Sequence, residues 1–182
     1  MVIRFLRDSQ TYIYMLTFRY LNTPLGFLLL AGKADCLQAI RIPRETERPI
    51  PNPKWIEDES CLQTAVDQLL LYFDGKLKSF DLCLDPQGSD FQKKAWNALL
   101  TIPYGKTISY GEQAALIGQP TASRAVGMAN GKNPIPIIIP CHRVIGKDGS
   151  LTGFSSGLNA KQFLLALENP QEGKSGEQLG LF

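Results

Sequence analysis

SYGEQAALIGQPTASRAVGMANG, residues Ser109 to Gly131, decides the fold of the second half of this chain. Ser109 and Glu112 stand at capping-box spacing, so a helix opens there and runs through Ile117. Gly118-Gln119-Pro120 breaks it, and Thr121 starts another helix that ends near Asn130-Gly131. Two short helices joined by a tight Gly-containing turn read as a helix-turn-helix, and equally as an ordinary helical hairpin. Upstream, Ser89 and Gln92 make a second capping box, with a helix to about Leu100. Downstream, Ile137-Ile138-Ile139 reads as a buried extended run leading into Pro140-Cys141-His142-Arg143-Val144-Ile145. Gly146 to Gly157 is a Gly/Ser-rich loop, and Asn159 to Glu168 a last helix with Phe163, Leu164 and Leu167 inward.

The first half has a different texture. Thr11 to Tyr20, Phe27 to Ala31 and Cys36 to Ile42 read as strands, separated by turns at Asn22–Gly26 and Gly32–Asp35. Such short connections favour an antiparallel meander. Pro43 to Pro53 is a proline-rich loop. Ser60 to Phe73 has helical spacing, with Leu62, Val66, Leu69 and Leu70 on one side, and Ser79 to Leu84 reads as a short strand. Asp85-Pro86-Gln87-Gly88 is the best boundary. The expected organisation is α+β: an antiparallel sheet with a helix in 1–88, a helical unit in 89–168, and a flexible tail in 169–182.

The net charge of +2 does not announce a nucleic-acid binder, but Ser89 to Glu168 carries eight cations against four anions. The four cysteines, Cys36, Cys61, Cys83 and Cys141, lack metal-ligand spacing, and His142 is the one histidine, so no zinc site is expected. No apolar run is long enough for a membrane span, and no signal peptide is recognised at the N-terminus. These features point to a cytoplasmic protein with free thiols.

Ala122, Ala125 and Ala129 share a small face of the third helix, with Gly127 nearby and Arg124 projecting beside it. Such a face suits close helix packing, or entry into a DNA minor groove about 6 Å wide, with the arginine wedged into the base stack. Cys141 would react as thiolate, and needs a base to lose its proton at neutral pH. His142 is the obvious base, although neighbours in a strand point to opposite faces; either Pro140 forces a turn or a water carries the proton. Glu168 is the chosen third member, orienting the imidazole, against the plain alternative of an exposed helix-end glutamate.

Ile139-Pro140-Cys141-His142-Arg143-Val144-Ile145 resembles the active-site signature of the O6-alkylguanine-DNA alkyltransferases. Arg124-Ala125-Val126-Gly127 looks like that family's arginine-finger helix, Gly131-Lys132-Asn133-Pro134 like its asparagine hinge, and Ile108-Ser109-Tyr110 like its tyrosine segment. Leu151 to Glu168 resembles its pocket loop and closing helix. The likeness is strong over Ser89 to Glu168, a winged-helix-like unit. The first half is similar in size and element order to the family's small RNase-H-like domain.

The resemblance implies single-turnover repair of double-stranded DNA by a monomer, without cofactor: a flipped O6-alkylguanine loses its alkyl group to Cys141. His142, supported by Glu168, deprotonates the thiol through water. Asn133 ties the recognition helix to the active-site strand. Tyr110 gives a proton to the departing guanine. Arg124 fills the gap in the duplex, with Ala125, Gly127 and Ala129 in the groove. Val144 and Ser155 read the base through backbone groups, and Pro136 walls the pocket. Three departures are expected to alter affinity or substrate size without abolishing the reaction: Phe154 where the family has tyrosine, Met128 where it has glycine or alanine, and Ser156 for glycine.

The terminal Gln178-Leu179-Gly180-Leu181-Phe182 resembles the motif by which many bacterial repair proteins bind the sliding clamp. Leu181 and Phe182 would fill an apolar pocket, with Gln178 and Leu179 beside them, at the end of a polar linker spanning roughly 30 Å. A fold-back onto its own domain is the alternative. Three other functions compete. A non-catalytic lesion binder would not need Cys141, a cysteine hydrolase would turn over, and a helix-turn-helix regulator would form no covalent product.

Overall fold

The alternating apolar residues of the first half build a sheet around one central strand. The structure, a computed structural model, describes residues 15–44 and 47–169. Strands β1 (Thr17–Thr23), β2 (Gly26–Lys33) and β3 (Cys36–Arg41) run antiparallel in succession, the expected meander. Leu28 to Ala31 on β2 are fully buried because the strand is covered on both faces. Leu28 and Leu30 join the main core, while Leu29 and Ala31 pack with Phe18 on the other side. A short β4 (Ile56–Glu57) adds parallel to β1, giving the order β3-β2-β1-β4. Two residues are too few to show a period, so no sequence pattern signals β4.

The strand expected at Ser79 to Leu84 reduces to a single bridge between Leu84 and Leu37. The amide and carbonyl of Asp81 are instead taken by the side chain of Gln68, at 2.8 Å each. The bridge brings Cys36 and Cys83 together in a disulfide, with Cα atoms 4.6 Å apart. The expectation of free thiols is thereby corrected for this pair, whereas Cys61 and Cys141 are free. Helix α1 (Gln63–Phe73) lays Ala65, Val66, Leu69 and Tyr72 on the sheet. It starts later than the spacing suggested, and Leu70, expected inward, is 47% exposed. Leu69 holds the buried position, and Leu70 falls outside the apolar stripe formed by Ala65, Val66, Leu69 and Tyr72.

The second half comprises α2 (Asp90–Leu99), β5 (Ile108–Ser109), α3 (Tyr110–Leu116), α4 (Ser123–Gly131), β6 (Val144–Ile145) and α5 (Leu158–Glu168). Both capping boxes form as read. Helices α3 and α4 close on Ala114, Ile117 and Val126. Reciprocal amide bonds between Gln113 and Asn130, at 3.0 and 2.7 Å, lock the pair, and Gln113 also donates to the Ala95 carbonyl of α2. Strands β5 and β6 pair in parallel, Ile108 with Val144 and Ser109 with Ile145. This sets the start of α3 beside the segment carrying Cys141.

Ile137 to Ile139 are buried but not extended, which corrects the sequence reading. Ile137 has φ +78°, and the Ile139 amide returns to the Ile135 carbonyl at 3.0 Å. Pro134, Pro136 and Pro140 lack the N–H groups a strand ladder requires, so the segment coils instead. The main core runs unbroken from Leu28 and Tyr72 through Trp96 and Ile139 to Val144 and Leu164, so both halves share one apolar interior.

Candidate active site

Cys141 opens a 3-10 turn, Cys141–Arg143, between Pro140 and β6. A 3-10 turn rotates successive residues by about 120°, which resolves the difficulty of adjacent Cys141 and His142. Both are buried, at 4% and 0% exposure. Asn133, fixed after α4, folds the preceding loop: its Oδ1 accepts from the Ile135 amide at 3.0 Å, and its Nδ2 donates to the Ile139 carbonyl at 2.7 Å. The same Nδ2 lies 3.2 Å from Cys141 Sγ. The asparagine thus links the segment that follows α4 to the thiol.

Glu168, at the end of α5, is buried rather than an exposed helix-end residue. Its Oε1 lies 2.9 Å from His142 Nε2 and accepts from the Tyr72 hydroxyl at 2.8 Å and from Arg143 at 2.9 Å. Its Oε2 accepts from Arg143 Nε at 2.8 Å and from the Gly105 amide at 3.1 Å. Gly105 has φ +70°, and a Cβ there would sit 2.8 Å from the Glu168 carbonyl oxygen, so glycine is required. Burial alone would raise the carboxyl's pKa, but the hydrogen bonds from His142 and Arg143 hold it well below the usual range.

An ionised Glu168 can only accept, so His142 Nε2 carries the proton and Nδ1 is the bare lone pair. Among the described residues nothing hydrogen-bonds to that Nδ1. Burial lowers the imidazole pKa, keeping it neutral and ready to accept. Burial pushes the Cys141 thiol up to about 11, against the Asn133 hydrogen bond and the charge of Lys161. The resting thiol is therefore protonated, and a base is needed.

Lys161, fully buried on α5, was read from sequence only as one cation among several. Its Nζ donates to the carbonyls of Val144 and Thr152, both at 2.6 Å, joining β6 to the pocket loop. Burial lowers it to about 8. Tyr72 and Arg143 were also missed. A tyrosine on the far side of the chain carries no sequence signal of this contact, whereas the arginine adjoining Cys141-His142 could have been suspected.

The remaining expected residues cluster as follows. Tyr110 donates to the Thr152 carbonyl at 3.0 Å and lies against Gly127 and Gly153. Phe154 and Val144 share the core cluster with Cys141. Pro136 is buried beneath the hinge. The Val144 carbonyl already carries Lys161, and the Ser155 carbonyl accepts from Arg44 Nε at 2.9 Å. On α4, Arg124 and Ala125 are exposed, and Met128 is 68% exposed. Ala129 departs from its expected outward face: it is 2% exposed, and its carbonyl accepts from Trp96 Nε1 at 2.9 Å. Packing on α2 claims that side of the helix. Gln178, Leu179, Leu181 and Phe182 lie outside the described residues. Among the described residues no group of three or more His, Cys, Asp or Glu could hold a metal ion, and no helix is long and apolar enough to cross a membrane.

A buried cysteine beside a histidine–glutamate pair, next to two short helices joined by a tight turn, suits a protein that works on DNA through a nucleophilic thiol. Comparison with known proteins carries this further. The description "6-O-methylguanine DNA methyltransferase, DNA binding domain" matches residues 90–170, and its ribonuclease-like domain matches 16–86. The methylated-DNA–protein-cysteine methyltransferase of Mycobacterium tuberculosis H37Rv is 52% identical over 154 residues, covering 85% of this chain and 93% of the relative. That of Methanosarcina acetivorans is 52% identical, covering 81% and 94%. The crystal structure of the M. tuberculosis O6-methylguanine methyltransferase superposes with TM-score 0.80 at 51% identity, covering 86% of this chain and 94% of that one. The same protein in complex with DNA superposes at 0.79 with 51% identity, covering 85% and 93%. The chain belongs to the 6-O-methylguanine DNA methyltransferase family, the DNA-repair methyltransferases that the resemblance of its active-site segment indicated.

Proposed function

We propose that Cys141 is the acceptor in a single-turnover transfer of a methyl group from O6-methylguanine in double-stranded DNA. The observation that carries this is the Glu168–His142 contact, which leaves a buried, unpartnered Nδ1 on the residue that adjoins the buried Cys141 in the same 3-10 turn. His142 Nδ1 takes the thiol proton through one water, and Glu168 stabilises the imidazolium. The thiolate attacks the methyl carbon. The S–C bond forms as the C–O6 bond breaks, and the electron pair stays with guanine. Tyr110 supplies a proton to the leaving base and recovers one through solvent from His142. The product is a thioether, which water does not cleave, so each molecule acts once.

The O6 atom lies within a base pair, so the nucleotide is flipped to reach the thiol. Helix α4 enters the minor groove, Arg124 fills the gap, and Ala125, Gly127 and Met128 meet the groove. With Cys141 4% exposed, the loop holding Thr152, Phe154 and Ser155 opens to admit the base. Tyr110 then leaves the Thr152 carbonyl, and Pro136 and Val144 face the guanine. The protein works as a cytoplasmic monomer organised as 1–88, 89–168 and a tail. Through Gln178, Leu179, Leu181 and Phe182 that tail docks on the sliding clamp; deleting the five terminal residues abolishes clamp binding and spares methyl transfer. Unchanged clamp binding would reject this docking.

The decisive experiment incubates the protein with duplex DNA carrying labelled O6-methylguanine. One equivalent of label appears on the Cys141 peptide, and Cys141→Ala binds DNA without taking any. Label that stays in the nucleic acid would indicate a lesion binder, and release beyond one equivalent a hydrolase.

A further inference from the structure

A groove of about 800 Å³ lies apart from Cys141. It lies between the outer edge of the sheet and the hinge. One wall is β3 with residues 42–44, 47–50 and Trp55; the other is Lys132, Asn133, Pro134 and Pro136 with Ser155 and Ser156. Three arginines of the first half, Arg41, Arg44 and Arg48, line it with Lys132, against Glu47.

These arginines are exposed but held in place. The Arg41 guanidinium lies 5.1 Å from the Trp55 ring centroid and donates to the Ile50 carbonyl at 2.6 Å. The Arg48 guanidinium sits 3.9 Å from the Phe27 ring and 5.3 Å from that of Tyr20. Arg44 reaches across the groove to the Ser155 carbonyl at 2.9 Å. A stacked guanidinium keeps N–H groups at its edge for an oxyanion and has lost little freedom still to pay in binding it. Fixed cations along a groove that also presents Trp55 are the elements of a site for a nucleic-acid backbone.

We propose that this groove binds the phosphodiester backbone of the DNA flanking the lesion, so that the ribonuclease-like half takes part in DNA binding. This rests on the reading of the chain as a DNA methyltransferase. The groove is continuous with that site: Pro136 and Ser155, assigned to the guanine pocket, form its far wall. A strand leaving the recognition helix at Lys132 passes along it, with Arg41 and Arg48 contacting phosphates. No chemistry occurs there, and the gain is affinity without sequence preference.

The test uses the full chain with Arg41→Gln and Arg48→Gln combined, neither of which touches the pocket loop. Each phosphate contact contributes about 0.9 to the slope of log affinity against log salt. The double variant is expected to lower that slope by roughly 2 on a duplex long enough to reach the groove, while Arg41→Lys with Arg48→Lys restores it. Transfer from free O6-methylguanine base to Cys141 should stay at the wild-type level, which also shows the variant is folded. An unchanged slope with intact free-base transfer overturns the groove assignment. A lowered slope in a protein whose wild type takes no methyl from the base would leave the groove standing and remove the transfer reaction.

Discussion

The hydroxyl of Tyr72 donates to Oε1 of Glu168 at 2.8 Å, across 96 residues of sequence. A residue of the first half thereby completes the carboxylate that faces the histidine of the second. Burial, reinforced by the Glu168 charge, raises the tyrosine pKa far above its usual value, so it always acts as donor. Tyr72→Phe keeps the ring, which packs against Phe73, Phe80 and Tyr104, and deletes only the hydrogen bond. Loss of a bond to a charged group is expected to cost about 1.5–3 kcal/mol, measured by urea unfolding. Methyl transfer should slow only modestly, because Arg143 and Gly105 still hold the carboxylate.

Glu168→Gln goes further, since it leaves Arg143 buried opposite a neutral amide. Breaking such a buried pair costs about 3–5 kcal/mol. The folded-state pKa of Glu168 lies below its ordinary value of 4.5, so the unfolded state binds the extra proton first. The carboxylate's contribution is complete above pH 4.5 and is lost as the pH falls below it. Acid titration of stability should therefore be flatter in the variant. An identical acid slope in both proteins would mean Glu168 is not held ionised.

Lys161 carries the positive charge that opposes burial at the Cys141 thiol. Lys161→Met should push that thiol above its value of about 11 and slow alkylation of Cys141 by a small electrophile at neutral pH. Lys161→Arg should recover part of the rate, because the charge remains while the geometry at Val144 and Thr152 changes. The wild-type rate should lose this assistance as pH rises through about 8, where Lys161 gives up its proton. Mass spectrometry of the Cys141 peptide follows all three proteins.

The Cys36–Cys83 bond closes a separation of 47 residues. Replacing both by serine is expected to destabilise the chain by about 2–4 kcal/mol, through the freed unfolded state. The groups around Cys141 do not involve this bond, so transfer from free O6-methylguanine should be unaffected. Urea unfolding with and without a thiol reductant gives the comparison. Equal stability in both conditions would show that the bond contributes nothing.

Much of the local structure was already written in the chain. Ser89 with Gln92 and Ser109 with Glu112 marked two helix starts, because a capping box satisfies backbone donors with residues three apart. The meander followed from short turns between apolar runs. Cys141 and His142 drew notice in the sequence because a thiol and the one imidazole stand side by side, whereas Asn133 was singled out by the resemblance of Gly131-Lys132-Asn133-Pro134 to a family hinge. Where the expectation failed, a distant side chain had intervened in one place and neighbouring prolines in another. Gln68 took the backbone of Asp81 and left one bridge where a strand was expected, and prolines coiled Ile137 to Ile139.

The five donors gathered on Glu168 are a property of the tertiary fold alone. Tyr72, Gly105 and the adjacent pair His142-Arg143 come from three separate segments, and no spacing rule links these to one another or to Glu168. The same holds for the buried charge of Lys161, the pairing of Cys36 with Cys83, and the inward turn of Ala129. Sequence determines which residues can cap, bend or react, because those are short-range properties of backbone and side chain. Which of them lose water, and which charges then face each other, depends on long-range packing, and that sets the protonation states on which the chemistry runs.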